Sequence, residues 1–211
     1  MAVKLKICGM SEPENILQVL RYRPDYLGFI FYEKSPRYAG NDLERIREVA
    51  IPVQVRKVGV FVNEEIEKIL YIREVLSLDV VQLHGNEPVQ FCESLRSKGM
   101  KVMKVFSIGP DFEFKVMEPY TPYVDYFLFD TKVEYYGGSG RSFDWKVIDL
   151  YPFKKPFFLG GGVGSENIRE VRQFKNPHLY AVDINSRVES APGVKDLAKL
   201  RSFRQQFDKI N

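Results

Sequence analysis

At 211 residues, 45% of them hydrophobic and 28% charged, the chain can fill a sizeable core, and its length suits a single domain, 1–211, of α/β-barrel size. Its 31 basic and 28 acidic residues interleave with no block of either sign, and the net charge of +3 argues against a nucleic-acid tail or a membrane-surface stripe. No apolar run approaches the length of a spanning helix, MAVKLKICGM lacks the apolar region of a signal peptide, and two distant cysteines suit a reducing cytoplasm.

Residues 3–8 (VKLKIC) read as a strand. Residues 13–23 read as a short amphipathic helix carrying Ile16, Leu17, Val19 and Leu20, with Ser11 as its cap. A strand at 26–32 precedes a helix at 41–50 that starts at Asn41 or Asp42. After a strand at 55–62, Asn63 opens the helical EEIEKILYIREVLS. A strand at 79–85 and a helix closed by Gly99 follow. Next come a strand at 101–108, a weaker helical stretch in PDFEFKVMEPY, and a strand at 123–130. The polar loop TKVEYYGGSGRS leads into the short helical FDWKVIDLY, a strand at 156–162 and a capped helix in SENIREVRQFK. A strand at 179–185 and a helix over about 193–210 close the chain.

Eight strands, each followed by a helical segment, predict a parallel sheet closed into a (β/α)8 TIM barrel. The near-continuous apolar strands agree, since parallel strands are covered on both faces. An open doubly wound sheet would favour a G-x-G-x-x-G crossover, whereas the first crossover here is CGMSEPEN. In a barrel, chemistry sits where the strands end. The residues standing there are Cys8, Tyr32, Ser35, Arg37, Asn63, His84, Ser107, Asp130, the glycines at 160–162, Asp183, Asn185 and Ser186. The opposite loops, such as RYRPD and SLD, read as plain connectors. Glycines after strand seven, with Asn185 and Ser186 after strand eight, fit a phosphate site, because amides without a Cβ approach an oxyanion closely and a helix N-terminus follows. Pro192–Gly193 is read as a second turn that begins a short helix.

Seven stretches carry a family resemblance: KICGM, GFIFYEKSPRY, VGVFVNE, VQLHGNE, FDTKVEYYGGSGRSFDW, LGGGVGSENI and VDINSRVESAPGVKD. In this order, and over nearly the whole chain, the sequence resembles the phosphoribosylanthranilate isomerases of tryptophan biosynthesis. The resemblance implies an Amadori rearrangement of N-(5-phosphoribosyl)anthranilate to 1-(2-carboxyphenylamino)-1-deoxyribulose 5-phosphate. It implies Cys8 as general base and Asp130 as general acid. The electron flow calls for no cofactor and no metal. The implied partner is the small phosphorylated sugar–anthranilate substrate, with neither nucleic acid nor membrane, in a monomer or homodimer.

Cys8 can serve only as a thiolate, which a basic setting favours over the free thiol at about 8.5. Lys6 shares its strand face only if the strand stays regular. Cys92, in mid-helix, reads as an inert buried thiol. Asp130 must hold a proton, so apolar surroundings or negative charge are expected around it. Arg37 suits the anthranilate end, by pairing with its carboxylate or stacking on its ring. Lys34 is assigned to solvent, His178 to the surface, His84 to a supporting role at the substrate, and Asp183 to the hydrogen bonds of the site. Gly161, Gly162, Asn185 and Ser186 are the phosphate candidates, and 133–143 is a candidate lid. The family commonly has a glycine where this chain has Arg187, which either assists the phosphate or points away. A non-catalytic sugar-phosphate binder would need neither Cys8 nor Asp130. A dual-substrate histidine and tryptophan pathway isomerase would carry aspartates at strands one and five, where this chain has cysteine and serine.

Overall fold

The structure, a computed structural model, describes residues 2–109, 111–131, 145–174 and 176–210. Eight strands form a closed parallel barrel: β1 (Lys4–Ile7), β2 (Tyr26–Ile30), β3 (Arg56–Phe61), β4 (Val80–Leu83), β5 (Val102–Ile108), β6 (Tyr126–Thr131), β7 (Phe157–Leu159) and β8 (Leu179–Ile184). Each pairs with the next, and β8 returns to β1 in the register Lys4↔Ala181 to Ile7↔Ile184. The sheet is therefore closed, as the eightfold alternation predicts.

Alternation along the strands builds two cores. Leu5 and Ile7 join Ile16, Val19 and Phe203 in the outer layer between sheet and helices. Val58, Val80, Met103, Leu128, Phe158 and Ala181 fill the barrel. Tyr26 and Phe158 meet edge to face at 5.2 Å and Tyr126 and Tyr180 stack at 5.4 Å, closing the N-terminal end with rings. At the same end Asp25, Asp79 and Asp125 accept the backbone N–H groups of Leu5, Lys57 and Val102 at 2.8–2.9 Å. Stability is built there, and the other mouth is left to the loops.

The helices depart from expectation mostly at their ends. Helix α1 (Pro13–Leu20) begins on a proline, whose missing N–H is no loss in a first turn, and Ser11 does not cap it. The Ser11 hydroxyl instead donates to the Gly193 carbonyl at 3.3 Å. The segment 41–50 splits into a 3-10 turn (Gly40–Asp42) and a short α2 (Leu43–Arg47). Helix α3 (Ile66–Leu76) starts three residues after Asn63, whose side chain accepts the Asn86 N–H at 2.7 Å. Helix α4 (Val89–Ser97) is closed by Gly99 at φ +77°. Among the described residues, the connections after β5, β6 and β7 contain only 3-10 segments, Phe114–Tyr120, Trp145–Leu150 and Ile168–Gln173. Proline at 119 interrupts the first. The third is uncapped because the Asn167 side chain turns back to the glycine loop, accepting from Gly164 N and donating to the Gly162 carbonyl.

The largest correction concerns 189–196. Pro192–Gly193 does not begin a helix. It turns an antiparallel ribbon, β9 (Glu189–Ala191) with β10 (Val194–Lys195), and Gly193 takes φ +87°. Helix α5 (Leu197–Phe207) follows, capped by Asp196, which accepts from the amides of Ala198 and Lys199. Among the described residues no helix is long and apolar enough to cross a membrane. The candidate lid at 133–143 lies outside the described residues.

Candidate active site

A cavity of about 190 Å³ opens at the C-terminal mouth of the barrel. It gathers most of the residues expected there: Cys8, His84, Asp130, Gly160 to Gly162, Asp183, Asn185 and Ser186 all line it. Tyr32, Ser35, Arg37, Asn63 and Ser107 are not among its lining residues. Ser35 serves a local turn, its hydroxyl accepting the Arg37 N–H at 3.1 Å. Lys34 is exposed, as expected.

Strand β1 stays regular, so Lys4 and Lys6 alternate with the outward Leu5 and Ile7, and Lys6 shares the inner face with Cys8. Lys6 is wholly buried, and its ammonium lies 2.8 Å from Asp183 Oδ2. Cys8 is near enough for its charge to act on this ammonium. Burial works against its charge, but Asp183 and Cys8 together hold Lys6 above the ordinary lysine value. Burial pushes the Cys8 thiol up, Lys6 and Lys195 pull it down, Asp183 pushes it up again, and it ends above its usual range. Asp183 also ends high, through burial first and the neighbouring Asp130 further, against the pull of Lys6 and His84. The physical cause is common to all three groups: one buried cation serves two acids, so one anion is accommodated readily and a second is not. Burial pushes Cys92 up to about 11, with Lys104 pulling down and Glu87, its ion-pair partner, pushing up.

Asp130, at the end of β6, is reached across the mouth by His84, Nε2 to Oδ2 at 3.1 Å. Both side chains are about a third exposed (36% each), so Asp130 is less enclosed than its apolar strand suggests. The turn carrying His84 is fixed from behind. The buried Glu87 carboxylate accepts from the amides of Asn63 and Gly85, and Lys104 donates to Glu87 at 2.9 Å and to the Gly85 carbonyl at 2.7 Å.

Arg37 stands behind Cys8 rather than in the cavity. Its Nε–Nη2 edge holds Glu189 at 2.7–3.0 Å, while Lys195, fully buried, donates to the same carboxylate at 2.7 Å. Burial raises Glu189, but the two cations more than offset it and keep the carboxylate low. Burial outweighs Glu189 at Lys195 and leaves that lysine low, since it has only part of one anion. Lys195 also donates to Asn185 Oδ1 at 2.8 Å, which fixes the start of the loop after β8. The Nε–Nη2 edge of Arg37 is engaged by Glu189, so the face of its guanidinium plane is the part left to a ligand.

Gly161 and Gly162 adopt φ +71° and +81°, a backbone that a side chain would strain. The segment after them is a six-residue 3-10 helix beginning only at Ile168, so the glycine loop itself, not a helix terminus, lines the mouth. Arg187 lines the cavity beside Ser186 and makes a 3.4 Å ion pair with Glu166.

Lys6, Gln82, Glu189 and Lys195 were not among the expected site residues. For Lys6 and Gln82 a signal exists: each is a polar residue at the same strand parity as an expected site residue, Cys8 and His84. Glu189 and Lys195 carry no such signal, because the ribbon that holds them depends on Asn15, far away in the chain.

A closed eight-strand barrel with a polar, glycine-rimmed mouth defines a (β/α)8-barrel enzyme. The family model for N-(5'-phosphoribosyl)anthranilate isomerase matches residues 5–206. The chain belongs to this family, whose members are intramolecular aldose–ketose isomerases of tryptophan biosynthesis. It is 41% identical over 204 residues to the N-(5'-phosphoribosyl)anthranilate isomerase of Parabacteroides distasonis, covering 96% of this chain and 92% of that one. A crystal structure of phosphoribosyl anthranilate isomerase with reduced 1-(o-carboxyphenylamino)-1-deoxyribulose 5-phosphate is 34% identical, with a TM-score of 0.83 over 98% of this chain and 99% of that one. A structure of monomers generated from the dimeric Thermotoga maritima enzyme is 36% identical, with a TM-score of 0.79 over 98% and 99% of the two chains.

Proposed function

We propose that the chain catalyses the Amadori rearrangement of N-(5-phosphoribosyl)anthranilate, with Asp130 as general acid and Cys8 as general base. The supporting observation is that Cys8 and Asp130 line one cavity with the glycine loop, in a member of this family. Asp130 gives its proton to the ribose ring oxygen, and the C1′–O bond breaks to leave an iminium. Cys8, as thiolate, removes the C2′ proton, and the electron pair neutralises the iminium as an enolamine. The enol hydroxyl proton is then lost as a proton is gained at C1′, giving the ketone. The sequence is redox-neutral overall.

His84 is a positioning partner for Asp130 in this reading. The ring Nε2 lies 3.1 Å from Asp130 Oδ2, and this hydrogen bond fixes the orientation of the carboxyl at the cavity. Lys6 supplies the cation that Cys8 needs. A hydroxyl donated to the second oxygen of Asp183 would stabilise that carboxylate independently and leave more of the Lys6 field for the thiolate. Arg37 stacks on the anthranilate ring through its free face. The phosphate sits on Gly161, Gly162, Asn185 and Ser186, and the enzyme works in the reducing cytoplasm, in keeping with two free buried cysteines.

The test is turnover of phosphoribosylanthranilate by the purified protein, followed as loss of fluorescence. Turnover is expected, and its absence sinks the function. Arg187 gives a finer expectation. Arg187→Ala removes a half-exposed charge from the phosphate end of the cavity, so KM should rise by about 3- to 10-fold with kcat nearly unchanged, the signature of lost uniform binding. An unchanged KM would remove Arg187 from the phosphate site.

A further inference from the structure

Two residues that line the cavity each carry a buried acceptor with no donor. Asp183 Oδ1 and Gln82 Oε1 are both shielded, and neither has a hydrogen-bond partner among the described residues. Gln82 is 1% exposed, lies on β4 in register with Val60 on β3 and Met103 on β5, and lines the cavity together with Asp183. An unpaired buried acceptor carries its desolvation cost uncompensated. An apolar residue at this inward position of a strand otherwise built of Val and Leu would avoid that cost, so the retained amide points to a ligand that brings the donor.

The chemistry of the substrate narrows which part that is. Phosphate and carboxylate are acceptors and cannot satisfy Oε1. The donors are the hydroxyls of the sugar and the single anilino N–H, and the hydroxyls are the more numerous. β4 and β8 lie on opposite sides of the eight-strand ring, so Gln82 and Asp183 face each other across the cavity in which Cys8 and Asp130 stand. Resting on the function proposed above, we infer that Gln82 is a substrate-binding residue that accepts a sugar-chain hydroxyl through Oε1, with Asp183 Oδ1 as its counterpart on the opposite wall. It reads the hydroxylated chain, not the phosphate or the ring.

The probe is reduced 1-(o-carboxyphenylamino)-1-deoxyribulose 5-phosphate, with analogues lacking one chain hydroxyl at a time. Binding is measured by calorimetry on the wild type and on Gln82→Met. The variant should bind the parent compound about 10-fold more weakly, the scale of one neutral hydrogen bond. For one deoxy analogue the two proteins should bind equally, because the donor is already gone. The thermal midpoint of the unliganded variant should be equal or higher, since the orphaned acceptor has been removed. An equal loss for the parent and every deoxy analogue, or a variant that binds all of them as the wild type does, overturns the inference. A lower midpoint would assign Gln82 a structural role and overturn it too. If the wild type turns over its substrate while the cycle is additive, only this inference fails. If the wild type neither turns over nor binds the analogue, the proposed function fails and takes this inference with it.

Discussion

Cys8→Ala and Asp130→Ala each lower turnover of phosphoribosylanthranilate by at least ~100-fold, the low end of what a positioned acid or base contributes. The loss falls on kcat, because neither side chain holds the phosphate and KM should move little. The two variants differ in what they leave behind. Removing the thiol leaves Lys6 paired with Asp183 at 2.8 Å, a balanced buried pair, so the fold should persist. Removing the carboxyl at 130 frees His84, which is a third exposed and can be solvated. Circular dichroism and the thermal midpoint should therefore stay close to wild type in both. Steady-state kinetics decide the matter: activity within about 10-fold of wild type in either variant withdraws that residue from the acid–base pair.

Lys6→Met loses at least ~100-fold in kcat near neutral pH and moves the ionisation of Cys8 upward, because the cation that pulls it down is gone. Two unit charges about 4 Å apart at an effective dielectric of about 20 interact by about 4 kcal/mol, so losing the cation beside a buried thiolate is a large change. Lys195 and Arg37 remain as more distant positive charges, while Asp183 stays as the opposing acid, with Asp130 and His84 beyond it. The sign of the pH effect follows from the groups. Lys6 is held above its ordinary 10.5, so its support for the fold is complete below that value and fades only as pH climbs through the raised one. Near neutral pH Lys6 is thus a constant cation, and the rising alkaline limb of activity belongs to Cys8. Iodoacetamide labelling of the Cys8 peptide against pH, in wild type and variant, measures the shift directly. A variant with slower turnover but an unmoved labelling profile would reduce Lys6 to a packing role. Asp183 also loses its partner in this variant and is expected to take up a proton rather than remain a bare buried charge, which limits the destabilisation.

The barrel was legible because parallel strands covered on both faces must be apolar runs, and eight of them punctuate the chain at regular spacing. The site was legible to the extent that barrel chemistry sits where strands end, which brought Cys8, His84, Asp130 and Asp183 forward as candidates. Helix type was less so. The segment 165–175 reads as a capped helix, yet the Asn167 side chain is committed to Gly162 and Gly164, and a six-residue 3-10 turn forms instead. Pro192–Gly193 reads as a helix start, and the ribbon that replaces it depends on Asn15, whose side chain bonds both the N–H and the carbonyl of Lys195. That contact joins residues 180 positions apart, beyond the reach of any local pattern.

Taken by itself, the sequence determined the βα alternation, the strand ends on which reactive groups stand, and the seven stretches that mark the family. These are local facts: a period of two, a glycine, a short run of residue types. Tertiary structure alone decided the electrostatics. Lys6 meets Asp183, and Arg37 and Lys195 meet Glu189, only because β8 closes the ring against β1 and the ribbon after β8 folds back over α1. Whether a thiol at a strand end is inert or poised depends on which charges are buried with it, and burial is a property of the closed barrel rather than of the five residues KICGM.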